Sequence, residues 1–512
     1  MEIRERVVLK NAGYNIAGEL VTVLLGIVTV PLVVRTIGVD RYGVLSIAQL
    51  FVGYFGLIEL GLGQAVTRFV AETVARGSVR LIRPVVWTAA AAAAGLGVLG
   101  ALGLDLITPV IVTRLLHLPP GLIGETAQLF YAASVLIALV VVTNTLRGVL
   151  EAYQRFGWVN AVRIPSDLTG AGITLIGLLV FGITLPQLFM LLAAKNLAVL
   201  LVYLVLVKQS LPVARAAEAG QVAGALSALL RYGSWIALQN IAVTILLYLE
   251  RLLVAASLAI AAVSYYSIPQ GLANRALVVP ASLMPVLFPV VSGLPSHDAA
   301  GLQVRFARTF KYLALTMGFL AATMLTFAPE ILMVWVGPEF LRGTAVLRIA
   351  GVGVLVSSVA WLSGTFLQAL GDARTVTIIH LVQIPFYAAA TWFLVRGYGI
   401  NGAAVSWTLR IIVSAALLLA AGRPWKFVNV RMLVENRSAG YLGILGLLCV
   451  AILAFKSAVP TPAGSLIALG AFLAGSLANV WGYAMDDREK AFVTAAVRGA
   501  VPARFLGRSH AS

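Results

Sequence analysis

Charged side chains are scarce in this 512-residue chain: Asp, Glu, Lys and Arg make up 11% of it, whereas hydrophobic residues make up 60%. A soluble domain carries about 25% charged residues. A chain of this length with so few charges could not cover a surface that faces water, so its surroundings must be mostly lipid. The composition excludes a soluble enzyme and indicates an integral membrane protein.

Cysteine and histidine are also scarce. The single cysteine, Cys449, lies in an apolar run, and the four histidines are scattered along the chain. One thiol can form neither an intrachain disulfide nor a metal cage. There is no HExxH motif, no GxSxG motif and no P-loop, and no GxGxxG follows a strand. We therefore predict that the protein has no catalytic residues, no metal site and no cofactor.

Basic residues are in excess, since 37 Lys and Arg face 20 Asp and Glu and give a net charge of +17. They lie in short clusters between apolar runs, not in a basic domain with interleaved aromatic residues. We therefore expect no nucleic acid as a partner. Such clusters are typical of membrane proteins, where they contact the anionic headgroups of membrane lipids.

Long apolar runs dominate the sequence. A helix needs about 20 mostly apolar residues to cross the hydrocarbon core, whereas barrel strands are alternating segments of about ten residues. The continuous runs predict an all-α integral membrane protein with about 14 transmembrane helices. The predicted spans are residues 14–36, 43–66, 84–105, 126–147, 164–183, 187–207, 234–256, 264–290, 312–333, 345–370, 377–396, 401–421, 440–457 and 464–484.

The distribution of Lys and Arg predicts the orientation of these spans. With a cytoplasmic N-terminus, 26 of the 37 basic residues lie in or next to cytoplasmic segments, 7 lie in or next to outside segments, among them Arg251 near the outer end of its span, and the other 4 are counted within spans. Cytoplasmic loops carry the excess of basic residues. The sequence therefore predicts a multi-pass membrane protein with both termini in the cytoplasm (N-in/C-in).

A weak internal repeat predicts the domain organisation. NAGYNIAGELVTVLL starts at Asn11, and the similar RYGSWIALQNIAVTILL starts at Arg231. Secondary transporters are often built from two related halves, so we predict two pseudo-symmetric six-helix lobes followed by two further helices. The predicted parts are an N-terminal lobe (1–207), a cytoplasmic inter-lobe loop (208–233), a C-terminal lobe (234–421), an extra helix pair (422–484) and a cytoplasmic tail (485–512).

Four cations lie within predicted spans: Lys195, Arg275 and Arg410 near mid-depth, and Arg348 nearer the outer end. An ionisable group at the bilayer centre costs about 2.5–3.5 kcal/mol on insertion scales. The acids at this depth are fewer, which favours a water-filled cavity with a positive field for phosphate or pyrophosphate groups. The alternative is that these cations pair with acids or carbonyl groups and only hold helices together.

Two acids lie in the inner parts of the first two spans, Glu19 and Glu59. Either could pair with the cations. Glu59 could instead carry a proton and couple transport to an ion gradient, or it could form a structural hydrogen bond with a neighbouring helix.

Four stretches, in this order, resemble polysaccharide (O-antigen type) flippases of the multidrug/oligosaccharidyl-lipid/polysaccharide exporter superfamily. They are IGVDRYGVLSIAQLFVGYFGLIELGLGQAVTRFVAE, YYSIPQGLANRALVVPASLMPVLFPVVSGL, FLQALGDARTV and YGINGAAVSWTLR. The resemblance spans nearly the whole chain. It implies two lobes in a V shape that work by alternating access and carry an oligosaccharide linked to undecaprenyl pyrophosphate.

The resemblance also bears on the site. Related lipid II flippases use cavity arginines, one of them in the eighth helix, and Arg275 is similar in placement. Those relatives carry cations in the first helix, where this chain has Glu19, which argues against lipid II. The implied partners are the lipid-linked oligosaccharide, H⁺ or Na⁺ as the coupling ion, and the glycan polymerase and glycosyltransferases of the same pathway.

Two other functions stay open at this point. A multidrug antiporter of the same superfamily would need an acidic cavity for cationic drugs, whereas the mid-depth charge here is positive. A membrane-embedded glycan polymerase or ligase would need acid and base residues in a sizeable outside loop. The longest outside loop, about 106–125, offers no evident pair of carboxylates.

Overall fold

A computed structural model describes most of the chain. The described residues are 2–55, 63, 66–67, 69–70, 73, 79–211, 238, 241–294, 298–423, 427–428, 431 and 435–497, and for 2–22 only the backbone is described. Within these ranges the chain is helical apart from short connections, and one isolated β-bridge joins His117 and Ala259. The predicted all-α fold is confirmed.

The helices follow one another with short connections. They are α1 (Glu2–Phe55), α2 (Ile82–Val110), α3 (Ile123–Ala152), α4 (Phe156–Leu179), α5 (Leu185–Ser210), α6 (241–257), α7 (Ile260–Arg275), α8 (Val278–Ser292), α9 (Ala299–Trp335), α10 (Thr344–Ala369), α11 (Ala373–Ala421), α12 (Ser438–Ala458), α13 (Pro462–Asn479) and α14 (Asp487–Val497). Short 3₁₀ segments (Val79–Leu81, Pro120–Leu122 and Pro338–Gly343) precede α2, α3 and α10, and π-helical turns (Ile111–Leu115 and Val480–Ala484) follow α2 and α13.

The helices account for the predicted spans. Ten of the described helices are long and apolar enough to cross a membrane, or eleven if α7 and α8 form one broken span. The count is lower than fourteen because α1 and α11 each run through two predicted spans, and because α6 falls below the length of a span in the described residues. The protein is a multi-pass membrane protein.

Two glycines divide these long helical stretches. Gly38 in α1 has φ 80° and ψ 167°, and Gly399 in α11 has φ 59° and ψ −138°. Residues with a side chain rarely adopt a positive φ, whereas glycine adopts it readily. The chain can therefore break and change direction at these two positions, which lie between predicted spans.

The described chain forms two compact units. The first comprises Met1–Val278, Pro329–Val346 and Arg374–Arg410. In it α3 packs against α2 and α5, and α1 packs against α4 and α7. Small residues allow this packing: a Cβ atom at Gly97 of α2 would lie 3.0 Å from the carbonyl oxygen of Ala138 in α3. Helices in membranes approach closely through such residues.

The second unit comprises Val279–Ala328, Leu347–Ala373 and Ile411–Ser512. Its core includes Phe306, Phe366 and Phe427, whose ring centroids are each 5.2 Å apart. The C-terminal helix α14 is held to α9 by an ion pair of 2.6 Å between Lys311 Nζ and Glu489 Oε2. The predicted lobe boundaries stay a prediction, and most of the predicted inter-lobe loop lies outside the described residues.

Candidate functional site

A polar cavity of about 120 Å³ lies within the first unit. Its walls carry hydroxyl, amide and guanidinium groups together with a few apolar side chains. The lining residues are Val30, Tyr42, Ser46, Gln49, Arg251, Ser267, Ile268, Gly271 and Arg275. The lining contains no Asp or Glu among the described residues, so the cavity offers hydrogen-bond donors and positive charge.

Helical periodicity builds two of the walls. Residues four and seven positions apart lie on one face of a helix, which brings Tyr42, Ser46 and Gln49 of α1 to the same side. Two successive steps of four place Ser267, Gly271 and Arg275 of α7 on one face. The two helices approach closely next to the cavity, since Ser264 Oγ donates a hydrogen bond of 2.5 Å to the carbonyl oxygen of Val39.

Arg251 provides one of the two guanidinium groups. It lies in α6, and its Cζ atom is 5.6 Å from the ring centroid of Tyr248. Its Nε atom is buried and has no hydrogen-bond partner among the described residues. A buried donor without a partner costs free energy, which makes this group available to an anion in the cavity.

Arg275 provides the second guanidinium group and is the last residue of α7. Its Cζ atom is 5.9 Å from the ring centroid of Trp335. No carboxylate of the described residues forms an ion pair with it within 4.0 Å. The predicted span 264–290 is broken just after this residue, because α7 ends at Arg275 and α8 begins at Val278.

Glu250, the acid next to Arg251 in the sequence, does not line the cavity. Glu250 precedes Arg251 and is 1% exposed. Its Oε2 atom accepts a hydrogen bond of 2.8 Å from the hydroxyl group of Tyr387 in α11. Adjacent residues point about 100° apart around a helix, so Arg251 can line the cavity while Glu250 faces α11.

Arg410 does not line the cavity. It lies beside Tyr387, the hydrogen-bond partner of Glu250. Its Cζ atom lies 5.1 Å from the ring centroid of Tyr387. Several polar atoms of α11 are buried and have no hydrogen-bond partner in the described part of the chain. They are Nε of Arg410, Nδ1 of His380 and both amide atoms of Gln383. These buried groups therefore have hydrogen-bonding capacity that the described residues do not use.

Lys195 lies in α5, away from the lining of the cavity. Its Nζ atom would be 3.5 Å from a Cβ atom at Gly170 of α4. Asp167 of α4 interacts with it electrostatically and also forms an ion pair of 3.7 Å with Arg163. The structure thus places Lys195 beside a carboxylate of the neighbouring helix.

The remaining predicted site residues lie elsewhere or outside the description. Arg348 belongs to α10 in the second unit, and its Nε atom is buried with no partner in the described ranges. Glu59 lies outside the described residues. The backbone of Glu19 is part of α1, but its side chain is not among those described. The predicted roles of these residues stay predictions.

Sequence reasoning identified Arg275 but missed most of the other residues that line the cavity. On the sequence alone, Arg251 is assigned to the outside because it lies, next to Glu250, near the outer end of the predicted span 234–256. Tyr42, Ser46 and Gln49 left a usable signal, since they are polar residues at helical spacing within an otherwise apolar run. Single hydroxyl and amide groups are common in membrane helices, so this spacing alone does not distinguish a cavity from ordinary helix packing.

The fold is that of a known class of membrane transporters. An inward-facing multidrug resistance transporter of the MATE family, in the MOP superfamily, superposes with a TM-score of 0.65 at 14% identity over 81% of this chain and 94% of that one. The lipid II flippase MurJ in an inward closed conformation superposes with a TM-score of 0.67 at 13% identity over 91% and 98%.

Sequence comparison gives the family. Residues 8–294 match the family described as "Polysaccharide biosynthesis protein", and the chain belongs to it. A protein of Shigella flexneri named "Putative O-antigen transporter" is 24% identical over 431 residues, which cover 84% of this chain and 100% of that relative.

Proposed function

We propose that this protein is a flippase that moves an anionic, lipid-linked oligosaccharide across the membrane by alternating access. The family, the O-antigen transporter relative and the flippase fold support this function. The observation that carries it is the cavity whose described lining combines two guanidinium groups with hydroxyl and amide groups and includes no acid. The proposed activity is transport, with no chemical change in the cargo.

The cavity suits the diphosphate of such a lipid. Guanidinium groups bind phosphate oxygens through paired, charge-assisted hydrogen bonds. Pockets for drug-sized ligands measure roughly 300–1,000 Å³, so a cavity of about 120 Å³ fits a small anionic group and not an oligosaccharide. In this proposal Arg251 and Arg275 hold the diphosphate, while the glycan and the prenyl chain lie outside the cavity.

The transport cycle follows from this arrangement. The prenyl chain stays in lipid while the diphosphate occupies the cavity, and rearrangement of the transporter exposes the site to the other face. We place the protein in the bacterial inner membrane with both termini in the cytoplasm, as the distribution of basic residues predicts. The glycosyltransferases and the polymerase of the same pathway would act before and after it.

We propose a proton as the coupling ion, with the buried carboxyl group of Glu250 as its carrier. Glu250 is buried beside Tyr387, and the guanidinium groups of Arg251 and Arg410 interact electrostatically with its carboxylate. Two guanidinium groups would repel a bound metal cation, and the described residues contain no cluster of acids, histidines or cysteines that could hold one. Glu19 and Glu59 stay alternative carriers.

The experiment is complementation of a strain that lacks this gene. Arg275→Ala should abolish surface glycan while the level of the protein in the membrane stays normal. Arg114→Ala, an exposed arginine outside the cavity, is the matched control and should complement fully. Normal surface glycan with Arg275→Ala and Arg251→Ala would count against a required role for the cavity.

A multidrug antiporter is the second candidate, because the MATE transporter shares the fold. Export of cationic drugs requires an acidic binding site, whereas the described lining of this cavity carries only cationic and neutral groups. A panel of cationic drugs tested on the deletion strain separates the two functions. The flippase proposal predicts unchanged drug susceptibility.

A further inference from the structure

The guanidinium group of Arg275 lies against a glycine of α1. A Cβ atom at Gly26 would overlap Nη2 of Arg275 and would lie 3.0 Å from its Cζ atom and 3.1 Å from its Nε atom. The obstructing atoms are the end of a flexible side chain. A larger residue at position 26 would therefore displace the guanidinium group and leave the backbone in place. The space in which this group lies exists because residue 26 has no side chain.

Trp335 also lies beside this guanidinium group. Its indole ring lies 5.9 Å from Cζ of Arg275, a distance at which a cation is attracted to the ring. Its Nε1 atom donates a hydrogen bond of 2.7 Å to the carbonyl oxygen of Ile27, the residue after Gly26. The same turn of α1 thus contacts the guanidinium group directly and fixes the ring beside it.

Arg35 holds the chain that carries Trp335. Its guanidinium group donates hydrogen bonds to the carbonyl oxygens of Trp335 at 3.2 Å and Val336 at 3.4 Å. These carbonyl groups lie at the C-terminal end of α9, where they lack partners within the helix. The position of the indole ring relative to α1 is therefore fixed at several points.

We propose that Gly26 and Trp335 form a seat that aims the guanidinium group of Arg275 into the cavity, and that Gly26 is a positioning residue for anion recognition. An arginine side chain loses much rotational freedom when it binds, and a seat that fixes it beforehand lowers that cost. The identity of the anion as a diphosphate rests on the proposed function; the seat itself does not.

Inorganic pyrophosphate, titrated calorimetrically into purified full-length protein, is the first probe. Gly26→Ala should weaken its binding by about tenfold, the loss expected for a charge-assisted hydrogen bond. In an Arg275→Ala background the same change should alter affinity by less than about twofold, because no guanidinium remains to displace. An equal loss of pyrophosphate affinity in both backgrounds, or no loss in either, would contradict the proposed role of Gly26. Gly95→Ala, at an exposed glycine of α2 with open space around it, is the control.

If the wild-type protein does not bind pyrophosphate, that result counts against the proposed function alone. A second measurement then tests the position of the Arg275 guanidinium group directly. Phenylglyoxal labels accessible guanidinium groups, and mass spectrometry gives the extent of labelling at each arginine. Gly26→Ala should change the labelling of Arg275 relative to Arg251 at least about twofold, while Gly95→Ala should leave the ratio unchanged. An unchanged ratio in a folded Gly26→Ala protein contradicts the proposal.

Discussion

The hydroxyl group of Tyr387 donates a hydrogen bond of 2.8 Å to Oε2 of Glu250, and both side chains are buried. This contact joins α6 to α11 within the first unit. It also explains how Arg251 can line the cavity although it is next to an acid in sequence, because the carboxylate of Glu250 is bonded to Tyr387 of α11.

Tyr387→Phe should destabilise the protein by about 1–3 kcal/mol, because it leaves a buried carboxylate without its hydrogen-bond donor. Thermal unfolding of purified protein in detergent measures the effect as a lower midpoint. Tyr398→Phe is the control, since the ring of Tyr398 is 72% exposed. Equal midpoints for the wild type and Tyr387→Phe would show that the contact contributes nothing to stability.

Arg251→Lys should weaken pyrophosphate binding by about tenfold although the charge is kept, because lysine cannot form the paired hydrogen bonds of a guanidinium group. Calorimetric titration measures the change. Arg114→Lys alters an exposed arginine outside the cavity and should bind as the wild type does. If Arg251→Lys bound pyrophosphate with unchanged affinity, recognition would depend on charge alone.

Substitutions of Trp335 separate its two contacts. Trp335→Phe keeps a ring beside Arg275 but removes the Nε1 donor to Ile27, so it should lower stability by about 1 kcal/mol and reduce pyrophosphate affinity only slightly. Trp335→Leu removes ring and donor and should reduce both. Unfolding midpoints and titrations on the same preparations distinguish the two variants, and identical behaviour of both would contradict a role for the ring.

Gly399→Ala should destabilise the protein by about 1–2 kcal/mol, because a residue with a Cβ atom is strained at the positive φ of this position. Gly397→Ala is a closely matched control: it lies in the same helical stretch, has similarly open surroundings and lacks a positive φ. Thermal unfolding of both variants tests the difference. A Gly397→Ala protein at least as unstable as Gly399→Ala would refute this reason for the glycine.

Much of the fold follows from the sequence because membrane helices are constrained by a single strong requirement. Every span must be long, apolar and helical, so the runs of apolar residues located the helices, and the ends of α5, α10 and α12 lie within three residues of the predicted ones. The breaks at Gly38 and Gly399 lie between predicted spans, where the apolar pattern is interrupted. The ends of helices were harder to locate, since α9 begins well before its apolar run.

The candidate site was only partly predictable. A cation in the middle of an apolar run is costly wherever it lies, and that cost marked Arg275, Lys195 and Arg410 equally. Whether such a cation faces a cavity or a carboxylate depends on contacts between helices far apart in sequence. Lys195 lies beside Asp167 of α4, and Arg410 lies beside Tyr387. Arg251 does line the cavity. Its position next to Glu250 in the sequence suggests an ion pair instead, so the sequence alone does not identify it.

Translocation in reconstituted proteoliposomes tests the central claim most directly. A fluorescent oligosaccharide linked to a prenyl diphosphate is placed in the inner leaflet, and its arrival outside is followed with a membrane-impermeant reagent that destroys the label. The account predicts transport by the wild-type protein and none above protein-free vesicles by Arg251→Ala/Arg275→Ala protein reconstituted in equal amount. Equal rates of transport by the two proteins would contradict it.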